Sequence, residues 1–133
     1  AVERDRPTLS LLVPAVMQAL GGHRRWNRVD LASLRAVGAG SSDVPLHLIE
    51  AFQARGIPVQ QVYGMTESGP IAIAQTAEEA LAAPGSIGRA WGDCAARIAP
   101  DGEIQLRGPN LLSSYWHDEA ATRAAFTEDG WFR

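Results

Sequence analysis

The stretch Gln61-Val62-Tyr63-Gly64-Met65-Thr66-Glu67-Ser68-Gly69-Pro70 decides how the chain is read. It follows a short apolar run, Ile57-Pro58-Val59, with the composition of a buried strand. Just beyond that run come an aromatic ring, a glycine, a hydroxyl and a carboxylate in close succession. A flat ring can stack on a base, and Gly64 lets a ligand approach the backbone. Thr66 can donate a hydrogen bond to a phosphoryl oxygen, and Glu67 supplies oxygen to a hard cation such as Mg²⁺. These are the parts of a nucleotide-and-metal site. The same string also fits an ordinary strand-to-turn connection.

Composition narrows the classes. With 133 residues, 46% of them hydrophobic, the chain can build one ordinary domain with a core. A formal net charge of −3 gives no electrostatic case for nucleic acid or an anionic membrane surface. The single Cys94 excludes an internal disulfide framework and reads as small buried filler; with three scattered histidines it offers no metal-ligand spacing. No apolar run approaches the ~20 residues of a transmembrane segment. The charged start, Ala1 to Arg6, does not resemble a signal peptide. The expectation is a soluble, cytoplasmic protein.

In chain order, Thr8 to Val13 is a compact apolar strand, and Pro14 suits the first turn of a helix running to Leu20. Val16, Met17 and Leu20 recur at helical spacing before Gly21-Gly22 stops the run. His23 to Asp30 reads as a solvated connection anchored by Trp26. Leu34 to Ala39 forms a second strand, leading into the loop Gly40-Ser41-Ser42-Asp43. Pro45 to Arg55 then reads as an amphipathic helix with Leu48, Ile49 and Phe52 on its apolar stripe and Gly56 as its terminator. A third strand, Val59 to Val62, delivers the opening motif. This is a βαβ unit, so the strands are expected to be parallel. In an open α/β sheet, ligands bind outside the carboxyl ends of the strands. The Gly38–Asp43 and Tyr63–Glu67 loops are therefore expected to face one cleft. The first offers backbone N–H groups beside a helix N-terminus, and the second offers ring, hydroxyl and carboxylate.

Beyond Gly88 the periodicity changes. Ala95 to Ala99 and Glu103 to Arg107 alternate around Pro100-Asp101-Gly102 as a β-hairpin, and Asp118 caps a short helix reaching Phe126. Gln75 to Pro84 is a short helix or surface loop. Trp91, Tyr115 and Trp116 read as packing aromatics, and Trp131-Phe132 as a strand start without a following partner. The fold class is thus α/β: a partial parallel sheet with flanking helices over residues 1–83, then a small antiparallel, β-barrel-like segment over residues 84–133.

Several motifs together carry a family resemblance. Tyr63 to Pro70 resembles the core motif of adenylate-forming (AMP-binding) enzymes, the superfamily of acyl-CoA synthetases, luciferases and peptide-synthetase adenylation domains. Leu34 to Ser41 is similar to the strand and small-residue loop that precede it. Pro84-Gly85-Ser86-Ile87-Gly88-Arg89 is similar to a glycine-containing stretch that follows it. Gly102 to Asn110, Tyr115-Trp116 and Asp129 to Arg133 resemble the family's later motifs. The resemblance runs from Leu12 to Arg133.

It implies an ATP-dependent acyl- or aryl-carboxylate–CoA ligase, whose partners are ATP, a small carboxylic acid and coenzyme A. Tyr63 would stack on adenine, Thr66 would contact phosphate, and Glu67 would hold Mg²⁺. Gly40, Ser41 and Ser42, with Gly64 and Met65, would line the nucleotide. Gly64, Pro70 and Ile71 would shape the carboxylate pocket. Ser41 and Ser42 depart from the small residues usual in the family's loop. The family's phosphate-binding Lys loop, its ribose-binding Asp and its lid domain are not encoded here. The expectation is therefore an internal piece of the large N-terminal domain, inactive alone and prone to self-association. A non-catalytic binding module and a peptide-synthetase adenylation domain are the competing readings.

Overall fold

The computed structural model describes residues 2–133. The chain forms two compact units. The first comprises the chain up to Val62 together with Gln75–Gly88; the second comprises Tyr63–Ala74 and Arg89–Arg133.

The first unit opens with α1 (Val2–Asp5), β1 (Leu9–Leu12) and α2 (Pro14–Gly21), followed by β2 (Ala36–Ala39), α3 (Leu46–Gln53) and β3 (Val59–Tyr63). Pro14 opens α2 where its missing N–H costs nothing. The strands are parallel as expected. Leu9 lies beside Ala36 and Leu12 beside Ala39, while Val37 pairs with Val59 and Ala39 with Gln61. Strand β2 runs between the other two, which is why its short, small-residue sequence is buried at Ala36, Val37 and Ala39.

Leu48, Ile49 and Phe52 of α3 enter the core beside Met17, Val37, Ala39, Ile57 and Val59. Of the apolar residues on α2 only Met17 is buried; Val16 and Leu20 are exposed. Trp26 anchors the polar connection by tilting against Phe52 with ring centroids 4.8 Å apart. The guanidinium of Arg55 lies over the Trp26 ring at 5.4 Å and donates to the carbonyls of Trp26 and Val29. Gly56 ends the helical segment at φ 74°, a left-handed conformation open to glycine.

The segment before Gly88 adds α4 (Ala77–Ala82), which Thr76 and Glu79 start with a reciprocal capping box. Two buried glutamines join this segment to β3. Gln75 accepts from the Gln61 amide at 3.0 Å and donates to the Ala83 carbonyl, while the Gln61 side chain donates to the Ser86 carbonyl at 2.8 Å.

The second unit contains two antiparallel pairs. Strands β4 (Ile73–Ala74) and β5 (Arg89–Ala90) were not expected, because two-residue strands carry no periodicity. Strands β6 (Ala95–Ile98) and β7 (Ile104–Arg107) form the expected hairpin, turned by Gly102 at φ 92°. Helix α5 (Glu119–Ala124) is capped by Asp118, which accepts from the Ala121 amide.

Phe132 pairs with preceding chain: it exchanges both backbone hydrogen bonds with Leu106, at 2.8 and 2.9 Å, and meets Phe126 edge-on. One expectation is corrected here. Trp91 and Trp116 are not packing residues, being 55% and 87% exposed. Among the described residues no helix is long and apolar enough to cross a membrane.

Arg97 ties the end of the second unit together. It stacks over Trp131 at 4.5 Å and grips Asp129 with two hydrogen bonds of 2.7 and 3.1 Å. Those bonds, with a further one from Thr127, hold the Asp129 carboxyl at about 2. A depressed carboxylate contributes stability that is present above the unfolded carboxylate value and disappears as pH falls through about 2.

Two outcomes are expected. Phe52→Ala should cost roughly 3–5 kcal/mol in urea unfolding, because it vacates the centre of the first unit's core. Arg97→Ala should return Asp129 toward the ordinary carboxylate range in a side-chain carboxyl NMR titration; an unmoved titration would show that Arg97 does not set it.

Candidate active site

The motif residues lie on a loop that closes on itself. Tyr63 ends β3, and its carbonyl accepts the Ala72 amide at 2.9 Å. Gly64 lies so close to the returning chain that a Cβ there would sit 2.5 Å from the Pro70 carbonyl oxygen. That contact accounts for the glycine before any ligand is considered.

Met65 is extended, and Thr66–Ser68 then make one 3₁₀ turn. Ser68 is fully buried; its hydroxyl accepts the Met65 amide at 3.0 Å and lies within reach of the Met65 and Gly69 carbonyls. This local side-chain-to-backbone bonding is a turn-forming habit of serine. Gly69 leaves the turn at φ 65°.

A second segment braces this turn from later in the chain. The Leu112 amide donates to the Glu67 carbonyl at 2.7 Å, and the Asn110 side chain donates to the Ser68 carbonyl. The Tyr115 hydroxyl donates to Glu67 Oε1 at 3.1 Å. Burial, and then this bond to the carboxylate, push the Tyr115 phenol above its ordinary value. Among the described residues Glu67 Oε2 takes no hydrogen bond or ion pair. The outcome is an exposed Thr66 hydroxyl next to a half-buried carboxylate with one oxygen uncommitted. Tyr63 and Met65 are half-buried, and Pro70 and Ile71 are exposed.

Gly40, Ser41 and Ser42 belong to the first unit, at the carboxyl end of β2. A Cβ on Gly40 would lie 2.6 Å from the Val62 carbonyl oxygen, so only glycine fits there. Ser41 is exposed and takes φ 71°, where a Cβ costs on the order of 1 kcal/mol. Ser42 is exposed as well.

Tyr63, Gly64, Met65, Thr66, Glu67, Pro70 and Ile71 thus share one loop, while Gly40, Ser41 and Ser42 share another. Strands β2 and β3 are parallel, so each loop leaves its strand at the carboxyl end. An apolar cavity of about 320 Å³ in the first unit, walled by Leu12, Leu20, Trp26, Leu34 and Phe52, includes none of these residues.

Asn110, Leu112 and Tyr115 were not assigned to the site from sequence. Tyr115 was read as packing, and nothing local to it points at a residue so far back in the chain.

Among the described residues no group of three or more His, Cys, Asp or Glu side chains could hold a metal unaided. Glu67 does fit a cation that arrives on nucleotide phosphates, since Mg²⁺ is commonly held by one or two carboxylates with phosphate and water completing its shell.

Known proteins resemble this chain in sequence and fold. Residues 1–116 match the model of the AMP-binding enzyme family. The indoleacetate–CoA ligase of Aromatoleum aromaticum is 43% identical over 143 aligned residues, covering 100% of this chain and 28% of the relative. A feruloyl-CoA synthase from Amycolatopsis is 37% identical, covering 99% of this chain and 29% of the relative. The O-succinylbenzoate coenzyme A synthetase of Bacillus subtilis, solved with AMP, superposes with a TM-score of 0.82 at 30% identity, over 99% of this chain and 28% of that one. The chain therefore spans less than a third of the length of these relatives. It shares their mixed α/β fold, and it belongs to the AMP-binding enzyme family.

Proposed function

We propose that this chain is the central nucleotide-binding part of an ATP-dependent carboxylate–CoA ligase. The observation that carries the reading is the braced turn: Thr66 and Glu67 stand side by side, one hydroxyl exposed and one carboxylate oxygen unclaimed. The relatives named above, which are CoA ligases or synthetases, support it. Their acids all carry rings, which favours an aryl-bearing acid here within the wider acyl or aryl class.

In the first half-reaction a carboxylate oxygen of the substrate would attack the α-phosphorus of ATP, and pyrophosphate would leave. In the second the thiol sulfur of coenzyme A, giving up its proton, would attack the acyl carbonyl and displace AMP. Tyr63 would stack on adenine, with Met65 beside it. Thr66 would donate its hydroxyl proton to a phosphate oxygen and so hold the α-phosphate for in-line attack. Glu67 would hold magnesium, which when bound offsets the negative charge that builds on the phosphates. Gly40, Ser41 and Ser42 would border the nucleotide through their backbone, and Gly64, Pro70 and Ile71 would border the acid.

The turn positions groups, but the cationic stabilisation that phosphoryl chemistry demands has no source among these residues. The 133-residue chain alone is accordingly expected to be inactive. Leu9 and Leu11 are 66% and 73% exposed on β1, so the isolated chain is also expected to self-associate.

Glu67→Ala or Thr66→Ala, placed in the full-length ligase, should lower carboxylate-dependent pyrophosphate exchange by about 100-fold or more. Unchanged exchange in both variants would remove the assignment. Ligase turnover by the purified 133-residue chain would overturn the view that it is one part of a larger catalyst. Light scattering should show species larger than a monomer for that isolated chain.

A further inference from the structure

Tyr115 reaches Glu67 across 48 positions of sequence, so the contact is a product of the fold and not of local chain geometry. The tyrosine is itself held in place. Its amide donates to the Thr122 hydroxyl at 2.9 Å, and that hydroxyl donates to the Asp118 carbonyl at 2.7 Å. Asp118 returns its amide to the Tyr115 carbonyl while its side chain caps α5. At the other end, Leu112 and Asn110 fasten the turn that bears Glu67. The backbone on both sides is fixed, and the phenol bridges the two.

We propose that Tyr115 is a positioning residue for Glu67: it takes up Oε1, fixes the side-chain rotamer and leaves Oε2 as the oxygen available to magnesium. This rests on the reading of Glu67 as a magnesium-holding carboxylate. A free glutamate samples several rotamers, and each must be surrendered when a cation binds. A hydroxyl that occupies one oxygen removes part of that cost in advance, as a hydrogen-bonded partner does for other metal-holding side chains. The phenyl ring would serve equally well if packing were the whole role, and only the hydroxyl explains the contact. At 3.1 Å the bond is longer than a tight O–H···O⁻ pair, which places its effect at the modest end.

The test is the Mg²⁺ dependence of ATP binding, read by isothermal titration of the full-length protein carrying Tyr115→Phe, Glu67→Gln or both. Tyr115→Phe should raise the Mg²⁺ concentration for half-maximal ATP binding by about tenfold, with the KM for the carboxylic acid unchanged. In the Glu67→Gln background the same substitution should add nothing, because the pair acts as a unit. A Tyr115→Phe protein with wild-type Mg²⁺ dependence overturns the proposal, including one that merely melts at a lower temperature. So do independent, multiplicative effects in the double variant. If Glu67→Gln itself leaves Mg²⁺ dependence unchanged, the reading of Glu67 falls and the proposal with it. An unchanged Mg²⁺ dependence in Tyr115→Phe, while Glu67→Gln responds, removes only the proposal.

Discussion

The hydrogen bond from the Ala72 amide to the Tyr63 carbonyl makes the motif a closed loop instead of an open strand exit. Once that bond forms, the chain between must turn back on itself. Gly64 is then forced against the Pro70 carbonyl, and Ser68 must supply internal hydrogen bonds that a tight turn lacks. Thr66 and Glu67 are what remain toward the outside, with the Thr66 side chain exposed and the Glu67 carboxylate half-buried. The glycine, the serine and the proline serve the shape, and the threonine and glutamate inherit its result.

Bracing from Asn110, Leu112 and Tyr115 completes the design. A one-turn 3₁₀ segment has few internal hydrogen bonds and would fray without help. Two of the three contacts satisfy carbonyls at positions 67 and 68, groups that such a short helix leaves without partners of its own. The third acts on the carboxylate. Contacts to the backbone of the turn and to its carboxylate therefore come from one stretch of chain.

The longer elements of the fold were legible in the sequence, and most of what was missed shares one cause. The parallel strands and α3 were readable because burial writes a period into the residues, as in Leu48, Ile49 and Phe52. Trp26 was readable as an anchor because a lone large aromatic in a polar stretch has to go somewhere. Strands β4 and β5 were invisible, since two residues have no period and their pairing is imposed by distant chain. The pairings of Phe132 and Tyr115 were invisible for the same reason: Leu106 and Glu67 lie far away in sequence. Trp116 shows the opposite error, an aromatic assumed to be packed that stands in solvent. The family motif singles out Thr66 and Glu67, whereas the Tyr115 hydroxyl on Glu67 Oε1 comes only from the fold.

The paired glutamines that join β3 to the segment after Ala74 carry a constraint of their own. Gln61 and Gln75 each use an amide N–H₂ to reach a carbonyl oxygen, at Ser86 and Ala83. Glutamate has nearly the same size and shape, yet it would set an anionic oxygen against each of those carbonyls, out of reach of water. Steric tolerance at these two sites is thus beside the point: what the joint selects is polarity of a given sense, and a swap of one nitrogen for oxygen turns attraction into repulsion.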